Sequence, residues 1–85
     1  MVEKTVKVVV EPGLQAGPAS EFVQKSNSYM AEIFLEKGNR RVNAKSIMGL
    51  LSLAIATGDS VTLLADGPDD QEAITSLANF LTHLS

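Results

Sequence analysis

Few side chains in this sequence are equipped for covalent or acid–base chemistry. There is no Cys, which removes thiol nucleophiles, thiolate metal sites and disulfides together. A single His, His83, leaves His-based metal clusters out of reach. It falls in the last turn of a predicted helix, a place for a dipole partner or an exposed imidazole. Asp69-Asp70-Gln71-Glu72 looks like a paired-carboxylate site, but a helix start accounts for it. Gly13 and Gly17 match no phosphate-loop spacing. No catalytic constellation remains, and no cofactor or metal is expected.

Ser46 is left, with two readings. As an N-cap it accepts a backbone N–H and stabilises a helix by about 1 kcal/mol. As a phosphosite it would place roughly −1.5 to −2 charges at the positive end of a helix dipole, a mark the fold tolerates. The residues that follow are unusual in pattern. At roughly 100° per residue, Leu53, Leu50, Ala54, Ile47, Leu51 and Met48 cover an arc of about 220°, whereas a surface helix needs a stripe of little over ~100°. With Leu50, Leu53 and Ala54 inward, Ile47, Met48 and Leu51 are left outside as an apolar docking patch. A helix covered all round would give the same pattern.

The elements that must position these residues are legible. Val6, Val8 and Val10 alternate with Thr5, Lys7 and Val9 as a half-buried strand, ended by Glu11-Pro12-Gly13. Pro18 suits the first turn of a helix that carries Ala19, Phe22, Val23 and Ser26 on one side as far as about Asn27. Ile33 and Leu35 mark a second strand, and Gly38-Asn39 turns it into Arg40–Asn43. Ser46 caps a helix over Ile47–Ala56, closed by Thr57-Gly58, with Gly49 standing where a capping box would need Glu or Gln. Ser60–Ala65 is the last strand. Asp69 and Glu72 open a final helix with Ala73, Ile74, Leu77, Ala78, Leu81 and Leu84 inward. Four strands and three helices in this order predict an α+β fold: one domain over residues 1–85, a two-layer sandwich with a mostly antiparallel sheet and the helices on one face.

Composition narrows the function classes. Apolar residues make up 45% and charged residues 20% of 85, the profile of one small globular domain. The net charge of −3 argues against direct nucleic-acid binding. Four of the seven basic residues, Lys37, Arg40, Arg41 and Lys45, cluster in one stretch, and none follows Gly58; a solvated surface explains both. No apolar run approaches the ~20 residues of a membrane helix, and Met1-Val2-Glu3-Lys4 lacks the layout of a signal peptide. The expectation is a soluble cytoplasmic protein.

Two segments resemble a known family. Gly13-Leu14-Gln15-Ala16-Gly17-Pro18-Ala19 is similar to the active-site loop of HPr, the histidine phosphocarrier of the bacterial sugar phosphotransferase system. Lys45-Ser46-Ile47-Met48-Gly49-Leu50 resembles that family's regulatory serine segment, preceded by Asn43-Ala44. The likeness runs the length of the chain, and the element order agrees with the open-faced β-sandwich of HPr. It departs at Gln15, where HPr carries the His that accepts phosphate. An amide has no nucleophilic ring nitrogen and cannot form a phosphoramidate. The likeness is greatest to the catabolite-repression branch of the family in Bacillus-type bacteria, which shares the Gln.

That resemblance implies a non-enzymatic regulatory protein. Its Ser46 would be phosphorylated by an ATP-dependent HPr kinase/phosphorylase. The phosphoprotein would then act as corepressor of catabolite control protein A, a DNA-binding regulator of the LacI type. The implied contact residues are Gln15 and Gly17 in the loop, Ser20 and Val23 on the helix after Pro18, and Ile47, Met48 and Leu51. Gly17 is a second departure, because the family has an Arg there that lies beside the regulatory serine. Two rivals stand beside this reading. A phosphocarrier of the sugar-transport chain needs the missing His. An HPr-like relic or structural partner with another binding role draws support from Gly17. A homodimer formed by exchanging the first strand about Glu11–Gly13 is conceivable, although Pro12 could equally rigidify that turn.

Overall fold

The computed structural model describes residues 1–83. Its elements are β1 (Val2–Lys7), α1 (Ala16–Asn27), β2 (Glu32–Lys37), β3 (Arg40–Asn43), α2 (Ile47–Ser52), β4 (Ser60–Asp66) and α3 (Asp70–Thr82). The order is the expected one. The strands form a single sheet, β1-β4-β2-β3, in which every neighbouring pair is antiparallel. No helix among the described residues is long and apolar enough to cross a membrane.

β4 is central because its sequence can be covered from both sides. Val61, Leu63 and Ala65 are buried against the helices, and Leu64, pointing the other way, is buried too. The register aligns Val6 with Val61 and Val2 with Ala65 on one side, and Leu35 with Leu63 and Ile33 with Ala65 on the other. One apolar face therefore runs across three strands, and α3 closes it with Ala73, Ile74, Leu77, Ala78 and Leu81. Leu84 of the expected stripe lies outside the described residues. α1 adds Ala19 and Phe22, whose ring meets Phe80 at 6.1 Å between centroids. Burying each such Leu, Ile or Phe contributes about 1.5–3 kcal/mol. The opposite face is covered by its own side chains: the Arg41 guanidinium lies over the Phe34 ring at 5.8 Å and bonds Glu36 at 3.1 Å, while Thr5 and Thr62 share a hydrogen bond of 2.9 Å.

Two boundaries differ from the sequence reading. β1 stops at Lys7, although Val8 and Val10 are buried as the alternation requires. Past Lys7 the chain leaves the ladder: Val8 exchanges bonds with Gly58 and Asp59, and the Val9 and Val10 N–H groups both donate to Leu81 O. Burial continues where pairing does not. α2 ends at Ser52 instead of Ala56, and Ala54, expected inward, is exposed in a left-handed conformation at φ 49°. Basic side chains from the β2–β3 hairpin hold the frayed end. Lys37 Nζ donates to Leu53 O at 3.3 Å and Ala54 O at 3.1 Å, and Arg40 donates to Ser52 O at 2.9 Å.

The loop before α1 is pinned by its glycine. Gly13 adopts φ +100° and bridges Ala56, and a Cβ there would meet Ile55 O at 2.4 Å. Leu14 N–H donates to Ile55 O at 3.0 Å, which fixes the start of α1 beside the end of α2.

Candidate functional site

Ser46 is delivered by a turn that its neighbours build. Asn43 Oδ1 accepts the Lys45 N–H at 2.8 Å and Asn43 O accepts the Ser46 N–H at 3.1 Å, an Asx turn. Ala44, small and fully buried, anchors that turn through its N–H on Ile33 O at 2.9 Å. Ser46 then takes extended dihedrals and its Oγ accepts the Gly49 N–H at 3.1 Å, a side-chain N-cap. Gly49, the gap in the capping box, has a steric role. A Cβ there would stand 3.3 Å from Ser46 Oγ and 3.3 Å from Val42 Cβ. The side chain is half-buried, and its hydroxyl remains able to donate.

Beside it the three patch residues are exposed: Ile47 by 39%, Met48 by 77% and Leu51 by 45%. Leu50 and Leu53 of the same segment are in the core. The wide apolar arc thus divides: Leu50 and Leu53 are buried, whereas Ile47, Met48, Leu51 and Ala54 are exposed.

Gln15 is exposed at the N-cap of α1, and its side chain makes no capping bond. Ala16, next to it, is held at φ 48°, a left-handed conformation uncommon outside glycine. Gly17 and Ser20 are exposed, Val23 is half-buried against the core, and among the described residues nothing beyond the adjoining residues and helix backbone lies within 4 Å of where a Gly17 Cβ would be. α1 and α2 touch. Leu14 is bonded to Ile55, past the end of α2, while Lys45 Nζ reaches back to Tyr29 O, past the end of α1, at 2.8 Å. Gln15 and Gly17 therefore lie toward the end of α2 remote from Ser46.

The basic cluster is not a single surface. Lys37 and Arg40 serve the C-terminal end of α2, Arg41 lies on the open face of the sheet, and Lys45 alone adjoins Ser46. Lys37 also bonds Asp59 Oδ2 at 2.9 Å. The Ala56 N–H, with Lys37, holds the Asp59 carboxyl below its ordinary value.

Asp69 has a partner that the sequence did not reveal. Its carboxylate makes no cap bond to α3 and instead accepts Met30 N–H at 2.9 Å and Ala31 N–H at 2.8 Å. The Met30 bond chiefly lowers its pKa, with Ala31 and nearby Lys45 adding against some desolvation. No local pattern could have shown this, since the acceptor and donors are 38 and 39 residues apart. A groove of about 1010 Å³ runs between α1 and α3 past Val10 and Phe80; Ser46, Ile47, Met48 and Leu51 do not line it.

Comparison with known proteins adds to this geometry. Residues 2–83 match the family described as "PTS HPr component phosphorylation site". The HPr-like protein Crh of Halalkalibacterium halodurans is 54% identical over 81 residues, covering 95% of this chain and 96% of that protein. Among solved structures, HPr from Bacillus anthracis superposes with a TM-score of 0.94 at 49% identity, covering 95% of this chain and 96% of that one. Selenomethionyl Crh from Bacillus subtilis, described as a swapped, intertwined dimer, gives 0.76 at 53% identity, covering 95% and 93%.

Proposed function

Because the chain belongs to the HPr family, we propose that it is a non-enzymatic regulator of carbon catabolite repression, switched by phosphorylation of Ser46. The carrying observation is the juxtaposition of a half-buried N-cap hydroxyl with exposed Ile47, Met48 and Leu51. An ATP-dependent HPr kinase/phosphorylase transfers the γ-phosphoryl group to Ser46 Oγ, which loses its proton. The phosphate then supplies the polar half of a contact with catabolite control protein A, through charge-assisted bonds to basic groups on that partner. Ile47, Met48 and Leu51 supply the apolar half, with Gln15 at the start of α1 and Gly17, Ser20 and Val23 on it as a second edge.

Gln15 argues against the carrier role of the family, since its amide offers no nucleophilic nitrogen. The action is cytoplasmic, without direct contact to nucleic acid or membrane. The likeness to a Crh described as a swapped dimer supports a homodimer by exchange of the first strand. The test of the docking reading is Ile47→Asp or Met48→Asp in the phosphorylated protein. Either change weakens binding to the regulator while the far-ultraviolet circular dichroism stays native. Unfolding of either variant would place those side chains in the core and remove the patch.

A further inference from the structure

All three methionines of this chain are on its surface: Met1, Met30 and Met48 are 70%, 80% and 77% exposed. This is an unusual use of a side chain that commonly fills irregular gaps in cores. With no Cys present, the three thioethers are the only sulfur atoms an oxidant can attack. Only Met48 stands in an apolar cluster, next to Ile47 and three residues from Leu51, two positions after Ser46. Met30 contributes a backbone N–H to Asp69 and leaves its side chain in solvent.

We propose that Met48 is an oxidation site, and that its sulfoxide closes the α2 patch to a protein partner even when Ser46 is phosphorylated. The inference rests on the docking reading given above. The oxidant is of the peroxide class. A sulfur lone pair attacks one peroxide oxygen, the O–O bond breaks, and the S–O bond forms. The hydroxide that leaves takes the proton of the transferred oxygen, giving one sulfoxide and one water. Sulfur loses two electrons and the peroxide gains them. A thiol-dependent methionine sulfoxide reductase reverses the change.

The consequence is local because no methionine takes part in the core. A sulfoxide at position 48 places a polar oxygen in the middle of the apolar half of the contact. Docking must then strip water from that oxygen without returning a hydrogen bond.

The test uses the full chain phosphorylated at Ser46, with and without hydrogen peroxide. Oxidised positions are read by peptide mass, folding by thermal unfolding, and docking as the dissociation constant for catabolite control protein A. Met30→Leu and Met48→Leu are each compared with their own untreated samples. Oxidation is expected to weaken binding roughly tenfold in the wild type and in Met30→Leu. The unfolding temperature should stay constant, reductase should restore binding, and peroxide should not alter the affinity of Met48→Leu. Unchanged affinity with Met48 oxidised would overturn the proposal. So would an unfolding temperature that falls with Met48 oxidation, or a Met48→Leu protein that still loses affinity to peroxide. If the untreated phosphoprotein does not bind at all, the docking reading itself fails and the oxidation switch falls with it.

Discussion

Gly49 and Ser46 fit each other: the Gly49 N–H donates to Ser46 Oγ at 3.1 Å, and the missing Cβ leaves that oxygen the room it occupies. The cap and the candidate phosphosite are one atom. Replacing Ser46 by Ala should therefore cost about 1 kcal/mol in chemical unfolding and abolish kinase-dependent labelling read by intact mass. Labelling that persists in the folded variant, or that maps to Ser52 or Ser60, would show the site to be elsewhere.

The loop at Gln15 leads to a second expectation. Phosphoenolpyruvate with the general phosphotransferase enzyme should leave no acid-labile phosphate on the wild-type chain, because Gln15 and not His occupies the exposed N-cap of α1. His83 does not substitute, since it ends α3 with Nδ1 against Asn79 O. Any acid-labile label on the wild type contradicts this.

Acid should destabilise the fold through Asp59 and Asp69. Both carboxyls titrate below their ordinary value of 3.8 in the folded chain. Their contribution is thus complete above that value and is lost as pH falls through the lower folded values. Urea unfolding between about pH 7 and about pH 2 reads the effect. Asp69→Asn should lower stability at neutral pH and make the acid limb shallower than in the wild type. An acid limb of unchanged steepness would assign the loss to other groups.

Gly17→Arg should be accepted at little cost, because among the described residues no atom beyond its chain neighbours and its own helix backbone lies within 4 Å of the added Cβ, and α1 already begins at Ala16. Stability is expected to stay within about 0.5 kcal/mol. One restored charge-assisted contact should tighten binding of the phosphorylated protein to the regulator by about 1–3 kcal/mol. Unchanged affinity would mean that the second contact edge lies elsewhere than on α1.

Ser26 Oγ is fully buried on α1 and has no hydrogen-bond partner among the described residues. Ser26→Ala removes that cost and raises helix propensity, so stability should rise by about 1 kcal/mol. A loss of stability on urea unfolding would show that the hydroxyl is bonded in solution.

The element order, the apolar stripe of α3 and the exposed half of α2 were legible because each depends on periodicity within one segment. The misplaced features depend on distant partners. Val8 and Val10 keep the alternation of a strand, yet Leu81 O takes the Val9 and Val10 N–H groups and draws them off the ladder. Leu53-Ala54-Ile55 continues a helical apolar run, yet Lys37 holds the Leu53 and Ala54 carbonyls, and Arg40 that of Ser52 just before them, in a turn. Asp69 with Glu72 has the spacing of a helix start, but the carboxylate serves Met30 and Ala31 across the fold. The same limit applied to Lys37, Arg40, Arg41 and Lys45, clustered in sequence and dispersed in space.

The anchoring of residues 8–14 also bears on how two chains could share a strand. Up to Val10 this segment is bonded to Gly58, Asp59, Leu81 and, through 2.9 Å, Thr57 Oγ1; from Leu14 it is bonded to Ile55. Between them stand Glu11 and Pro12, exposed, and one turn bond from Gly13 N–H to Val10 O at 2.9 Å. Two copies that traded residues 1–10 would remake all of the former contacts across chains and forgo only the turn. Closed and traded forms would then differ per chain mainly by that turn, and mass action would select between them: dilution would favour the closed monomer, and a high concentration of identical copies the pair.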